Sequence, residues 1–314
     1  MTRTRWWRPV QYLLGVLVVA LAVRALARNW HELTQQPIAW QVRPLWVVAA
    51  LGVMLASYVL QVEAWRQVVR SLGYPLRWVA AARVCTVSNL GKYVPGKVWA
   101  IAGAAMLAQR AGVAPGAAVA AAVLLQGLAL ASGVAVAAFL APDLLHGLAP
   151  GLQVAVMAVG AGAVLGCFTL GLAPVRRGVQ RLLPATVPEL PPLDLRILAA
   201  ALVVNALVWG ATGLAFVWLG RGLVDAPGLT WPLATGVFTL AYITGLVAIF
   251  APGGVGVRES LVVLLLQGAI GLKLAAALAV ASRVLLTITE LGAALPFLPG
   301  LRRPAPPTTA PETR

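Results

Sequence analysis

Residues 239–268 read TLAYITGLVAIFAPGGVGVRESLVVLLLQG, and the fold turns on the middle of that stretch. Two apolar arms flank Ala251-Pro252-Gly253-Gly254-Val255-Gly256-Val257-Arg258-Glu259. Each arm is too short or too interrupted for the roughly 20 apolar residues that carry a helix across about 30 Å of hydrocarbon. Proline and paired glycine break the backbone at the centre. Peptide groups freed in this way persist at membrane depth only where protein or a polar cavity covers them. The stretch therefore reads as a re-entrant helical hairpin. Residues 83–110, RVCTVSNLGKYVPGKVWAIAGAAMLAQR, repeat the pattern around Gly91-Lys92-Tyr93-Val94-Pro95-Gly96-Lys97.

The rest of the chain has the composition of a protein solvated by lipid. Of 314 residues, 61% are hydrophobic and 11% charged, whereas about 25% of a soluble domain is charged. Mean hydropathy is +0.89, and the polar side chains are too few to cover a globule. The class is an all-α integral membrane protein. Lys and Arg number 24 against 9 Asp and Glu, a net charge of +15, but the basic residues sit between apolar blocks and form no basic face for nucleic acid. Cys85 and Cys167 lie inside apolar runs and serve as small hydrophobes, which excludes a disulfide scaffold.

Apolar blocks place six full spans around the two hairpins. The first, at about 10–27, follows Arg3, Arg5 and Arg8 and reads as a retained span, with no small-residue cleavage site before Asn29. The second runs from about Pro44 to Trp65 and leads into a loop carrying Arg66, Arg70 and Arg77. Further blocks lie at about 116–140, 152–173, 197–220 and 274–297, and the second hairpin takes 231–250 and 257–271. The connection at 141–151 holds no Lys or Arg, whereas the following loop holds Arg176, Arg177, Arg181 and Arg196. By the positive-inside rule both termini are cytoplasmic and the 141–151 loop faces the periplasm or exterior; the expected location is the cell inner membrane. Span, hairpin and span then occur twice in opposite orientation, at about 44–140 and 196–298. Such an inverted repeat with broken helices sets a transporter's substrate site where the breaks meet. Residues 1–300 form one polytopic domain, and the Pro/Thr-rich segment 301–314 reads as a disordered cytoplasmic tail.

Polar residues within the apolar blocks are few: Glu63, Arg83, Asn89, Lys92, Lys97, Arg258, Glu259, Arg283 and Glu290. A charge at mid-bilayer costs about 2.5–3.5 kcal/mol, so its retention implies a partner, a wet cavity or a ligand. A helix restarts at about Lys97 after Pro95-Gly96 and at about Gly256 after Gly253-Gly254, and each start exposes free N–H groups and a positive dipole end. A cation in the first turn, Lys97 or Arg258, is unfavourable there without an anion, so two such starts make a phosphate site. Glu259 is the resting counter-charge, with Arg258 or Arg283 as partner. The structural alternative has Arg83 and Lys92 snorkelling to the interface and Arg283 paired with Glu290 two turns along one helix.

Other motifs carry less. Gly91 to Lys97 fits G-x-x-x-x-G-K, but Val98 follows where a nucleotide loop needs Ser or Thr, and no strand precedes it. His31 and His146 are isolated and build no metal site. Gly162 and Gly166 read as a helix-packing pair. The expectation is no enzyme, no catalytic residue, no metal and no cofactor. An intramembrane enzyme with Glu259 or Glu290 as base ranks last, because no nucleophile stands beside either.

GKYVPGKVW with the following AQRAGV, and APGGVGVRE with the following SRVLLTITE, resemble the membrane domain of the lysylphosphatidylglycerol synthase/flippase family, from about Leu45 to Leu298. The resemblance implies a bundle with two re-entrant hairpins that moves a charged lipid between leaflets. It implies binding roles for Tyr93, Pro95, Gly96 and Lys97, and for Pro252, Gly253, Gly254, Gly256, Arg258 and Glu259. Asn89, Lys92, Arg283 and Glu290 join them from the reading of buried polar residues. The sequence holds no soluble aminoacyl-transfer domain, so synthesis of lysyl-lipid is not expected. The expected function is a flippase- or scramblase-like translocator of a charged phospholipid, an aminoacylated lipid or a polyprenyl-phosphate-linked lipid. The expected partners are membrane lipids with anionic or zwitterionic head groups, with a homo-oligomer left open. The alternative is a non-transporting membrane partner of a glycosyltransferase or lipid-modifying enzyme.

Overall fold

A computed structural model describes residues 40–93, 98–141, 144, 150–169, 174, 177–178, 194–224, 226–248 and 251–302. The first span, Pro95, Gly96, Lys97, His31 and His146 lie outside the described residues, as does the tail beyond Arg302. Among the described residues the secondary structure is helical throughout. The α-helices are α1 (Pro44–Ser71), α2 (Trp78–Asn89), α3 (Val98–Arg110), α4 (Pro115–Leu140), α5 (Pro150–Phe168), α6 (Leu195–Leu223), α7 (Trp231–Val247), α8 (Val257–Ile270) and α9 (Leu272–Ala294). Short 3₁₀ turns lie at Leu90–Tyr93, Pro252–Gly254 and Leu295–Arg302. The last of these extends two residues into the segment read as tail.

Among the described residues four helical stretches are long and apolar enough to cross a membrane: Pro44–Ser71, Pro115–Leu140, Leu195–Leu223 and Leu272–Leu298. The expected span at 152–173 yields a shorter helix, α5, of 19 residues. Proline marks several starts: Pro44, Pro115 and Pro232 occupy the first or second helical position, where a missing N–H loses no bond. Asp194 caps α6 by accepting the Arg196 N–H at 2.8 Å. At the other end of α6, Gln41 and Arg43 donate to the carbonyls of Leu223 and Gly222 at 3.0 and 2.8 Å, so the chain entering α1 satisfies the end of α6.

The end of α1 corrects the sequence reading. The helix continues past Trp65 to Ser71, so Arg66 and Arg70 lie on its last turns. Nothing breaks the helix before Gly73, which takes φ +90°. Arg66 pairs there with Glu63 at 2.8 Å and donates to the Leu76 carbonyl.

Polarity runs outward to inward in the sense expected in lipid. Leu45, Val48, Leu165 and Val280 are exposed, whereas Ser57, Thr86, Thr212, Arg258, Ser282, Thr289 and Glu290 are buried. The buried hydroxyls are satisfied within their own helices: Thr86 donates to Ala82 O at 2.8 Å, Thr212 to Val208 O at 2.6 Å and Thr289 to Leu285 O at 2.7 Å. One apolar core joins α6–α9 around Phe216, Phe238, Leu266 and Leu278. A second joins α1–α4 around Trp65, Val69, Val84 and Ala118.

Lipid tails are as apolar as leucine, so helices adhere here by close packing of small residues. A Cβ on Gly160 would stand 3.1 Å from Ala135 Cα, which places α5 hard against α4. Gly162 and Gly166 face open space. The packing glycine of α5 is therefore Gly160, two residues from the expected pair and on another face of the helix.

Candidate functional site

Both described chain breaks end beside α9. After α2 the backbone tightens into the turn Leu90–Tyr93, where Gly91 abuts α3 so closely that a Cβ would lie 2.6 Å from Ala100 N. This turn delivers Lys92 and Tyr93 to Glu290. Lys92 Nζ forms an ion pair with Glu290 Oε1, and the Tyr93 hydroxyl donates to Glu290 Oε2 at 2.6 Å. Glu290 is 1% exposed, so its charge depends on these partners.

The second break is described at Ala248 and from Ala251 to Gly256. Gly253, Gly254 and Gly256 have φ of +59°, +71° and +83°, a region L-residues with side chains rarely enter. The freed backbone groups find partners nearby. Gly254 N–H donates to Ala251 O at 2.9 Å. Arg283 Nη1 donates to Gly253 O at 2.8 Å, and Gly256 N–H donates to Glu259 Oε2 at 2.7 Å. Glu259 thus caps α8 from its third position, and its Oε1 lies 3.7 Å from Arg283. Of the two partners expected for Glu259, the structure selects Arg283. The alternative pairing of Arg283 with Glu290 is overturned, because Glu290 holds Lys92. For the same reason Lys92 points to the protein interior and does not snorkel.

Arg258 takes neither carboxylate. It is 5% exposed, with its guanidinium 4.1 Å from the centre of the Phe238 ring and 5.5 Å from that of Tyr242. Its Nη2 has no hydrogen-bond partner among the described residues. The Tyr93 ring is likewise shared by cations, with Lys92 at 5.6 Å and Arg283 at 5.7 Å.

Phe238 and Tyr242 also form a wall of a cavity of about 350 Å³ between α1, α2, α3, α4, α6, α7 and α9. Asn89, Lys92 and Glu290, all expected site residues, line it. Sequence reading missed Tyr58, Gln61, Gln126, Asn205, Trp209 and Tyr242, which also line it among apolar side chains. Asn89 donates to the Tyr58 hydroxyl at 3.4 Å, and Asn205 to Ala201 O at 2.8 Å. The Trp209 indole donates to Ala129 O at 3.1 Å, which fixes its ring against Tyr242. The missed signal was a lone amide in each of several apolar helices. On α1 it is the run Ser57, Tyr58 and Gln61, spaced to lie on one face.

The other expected residues divide by place. Tyr93 and Arg283 flank the cavity's ion pair, Pro252 to Gly256 build the turn, and Arg258 lies behind the aromatic wall. Pro95, Gly96 and Lys97 are outside the described residues. Among the described residues no group of three His, Cys, Asp or Glu side chains could hold a metal ion.

A helical bundle with apolar outer faces, long apolar helices and a few charged and polar side chains buried inside is a multi-pass membrane protein. The family described as the lysylphosphatidylglycerol synthase transmembrane region matches residues 11–294, and the chain belongs to that family. No curated protein matches it.

Proposed function

We propose that the protein moves a charged lipid between leaflets, with the head group entering the cavity and the acyl chains remaining in the bilayer. The observation that carries this reading is the cavity itself: about 350 Å³ of space inside a bundle whose outer faces are apolar, with the Lys92–Glu290 pair, Asn89, Asn205 and Gln126 set among apolar side chains in its wall. Ligand sites begin at roughly this size, about 300 Å³, which suits a head group and not a whole lipid. Lys92 and Glu290 offer a phosphate or an ammonium group an exchange partner, because each can leave the other for a ligand of opposite charge.

The reading includes six full spans, two re-entrant hairpins in an inverted repeat, and cytoplasmic termini in the inner membrane. The lengths of α2, α3 and α8, at 12, 13 and 14 residues, support re-entrance, since about 20 are needed to cross. The protein acts as a facilitator and carries out no covalent chemistry. Its partners are membrane lipids.

Reconstitution into vesicles with acyl-labelled fluorescent lipids tests the function. Dithionite should bleach the inner-leaflet label in protein-containing vesicles and leave it protected in protein-free ones. Equal protection in both would favour a non-transporting partner of a lipid-modifying enzyme. Cysteines at positions 146 and 177 should label from outside and from inside respectively, and the reverse would sink the inverted arrangement.

A further inference from the structure

The two partners of the cavity's ion pair are unequally open to a ligand. Lys92 and Glu290 both line the space, yet the Lys92 side chain is 22% exposed and that of Glu290 only 1%. A phosphate entering the cavity therefore meets the ammonium first, and it competes with the carboxylate for the same donors. Each lipid class expected for the site brings a phosphate, whatever else its head group carries. We infer that Glu290 takes up a proton when a lipid phosphate takes Lys92, so that a proton travels with each lipid; this rests on the translocation reading above.

The reason is what surrounds Glu290 once Lys92 has turned away. The Tyr93 hydroxyl still donates to Oε2 at 2.6 Å, and the Tyr58 hydroxyl approaches from α1, but both are uncharged. The other charges around α9 are committed elsewhere. Arg283, on α9 itself, donates to Gly253 O at 2.8 Å and lies 3.7 Å from Glu259. Arg258, from α8, packs on the rings of Phe238 and Tyr242. Tyr242, the neighbour from α7, is a phenol and brings no charge. A carboxylate buried without a charged partner is costly enough to neutralise instead.

The charges then balance at each stage. At rest Lys92 and Glu290 sum to zero. Loaded, the ammonium, a singly charged phosphodiester and a protonated Glu290 again sum to zero. In the exchange, the Lys92 hydrogen bond to Oε1 is replaced by one to a phosphate oxygen, and a proton from bulk water forms an O–H bond on the carboxyl. Tyr58 offers that proton a way in: its hydroxyl accepts from Asn89 at 3.4 Å in the cavity wall and faces Glu290 behind it. A hydroxyl both donates and accepts, so it can pass a proton on. When the lipid leaves, Lys92 returns to Glu290 and the proton departs on the side to which the cavity is open. The facilitator thus acts as a proton–lipid symporter, and a pH difference across the membrane sets its direction.

Calorimetry on the full chain in detergent tests this with ether-linked phosphatidylglycerol, titrated in two phosphate-free buffers of different ionisation enthalpy. The difference in binding heat should correspond to about one proton taken up per lipid, and Kd should fall by up to about tenfold for each unit drop in pH. Glu290→Gln should bind with no proton uptake and with an affinity independent of pH. Should that variant fail to fold, infrared difference spectra of the wild-type protein with ¹³C-labelled glutamate locate the proton: a carboxylic-acid band that appears on lipid binding and shifts with the label supports the inference. No proton uptake by the wild type would make Arg258 the compensating charge and overturn it, as would uptake that persists in Glu290→Gln or a band that ignores the label. Vesicles loaded with a pH-sensitive dye separate the two readings. Lipid movement without proton entry overturns this inference alone, and proton uptake on binding without lipid movement upholds it and overturns translocation.

Discussion

Lys92 and Glu290 join the first chain break to α9, and a double-mutant cycle on the pair separates a structural brace from a working site. Glu290 is 1% exposed, whereas the Lys92 side chain is 22% exposed toward the cavity. Glu290→Leu leaves a cation facing a small polar space, and breaking a buried pair in this way costs about 3–5 kcal/mol. The partial solvation of Lys92 places it at the lower end, about 3 kcal/mol. Lys92→Met leaves a carboxyl that keeps the Tyr93 hydroxyl as donor and can take up a proton, so its cost is smaller, about 2 kcal/mol. The double variant leaves neither charge and loses one tyrosine hydrogen bond, which costs about 1 kcal/mol. The coupling energy is therefore about 4 kcal/mol. Unfolding by SDS in mixed micelles, followed by the fluorescence of 11 tryptophans, measures it. The double variant should regain most of its stability and still fail to move lipid. A coupling below about 0.5 kcal/mol would show that the pair is not formed. A double variant that moves lipid at the normal rate would show that the pair only braces the fold.

Other substitutions address the scaffold. Gly254→Ala places a side chain at φ +71° with its Cβ 3.0 Å from Gly245 Cα, so stability in the same titration should fall by about 2 kcal/mol; an unchanged midpoint would mean the turn can rearrange. Gly160→Leu should weaken the packing of α5 on α4 by more than about 2 kcal/mol, while Gly162→Leu, in open space, should stay within about 0.5 kcal/mol. Glu259→Ala removes both the α8 cap and the counter-charge of Arg283 and should cost about 1–2 kcal/mol. Glu259→Gln keeps an acceptor for Gly256 N–H and should recover at least half of that loss.

The positions of the breaks were legible in the sequence because the chemistry of a break is local. Pro252 and the glycines at 253, 254 and 256 leave few conformations, and the structure gives all three glycines positive φ. The restart of α8 at Val257 with Glu259 as its cap is likewise written in four consecutive residues. Long-range pairing was not legible. Glu290 lies seven residues after Arg283, a spacing that suits a pair on one helix, yet Lys92 reaches it from 198 residues away. The gap left in the α1 reading has the same origin: Arg66 looked like loop charge, but Glu63 one turn earlier neutralises it within the helix. The cavity escaped notice because no single helix contains it. A lone glutamine in α4 or asparagine in α6 is ordinary by itself, and becomes a wall only when the packing turns those faces toward each other.

That difference bears on where a ligand is held. Read locally, the start of α8 is an anion site, with free N–H groups and a cation in the first turn. In the folded chain Glu259 accepts the Gly256 N–H and Arg283 takes the Gly253 carbonyl, so the turn closes on its own charges. Arg258 lies instead against the rings of Phe238 and Tyr242, two residues of the cavity wall. On the function proposed above, the break supplies rigidity and the cavity supplies the exchangeable contacts through Lys92 and the amides. On the translocation proposed above, a head group held through Lys92 and the amides, without a direct bond to Arg258, is held more weakly, and a weaker hold of this kind favours release to either leaflet over retention.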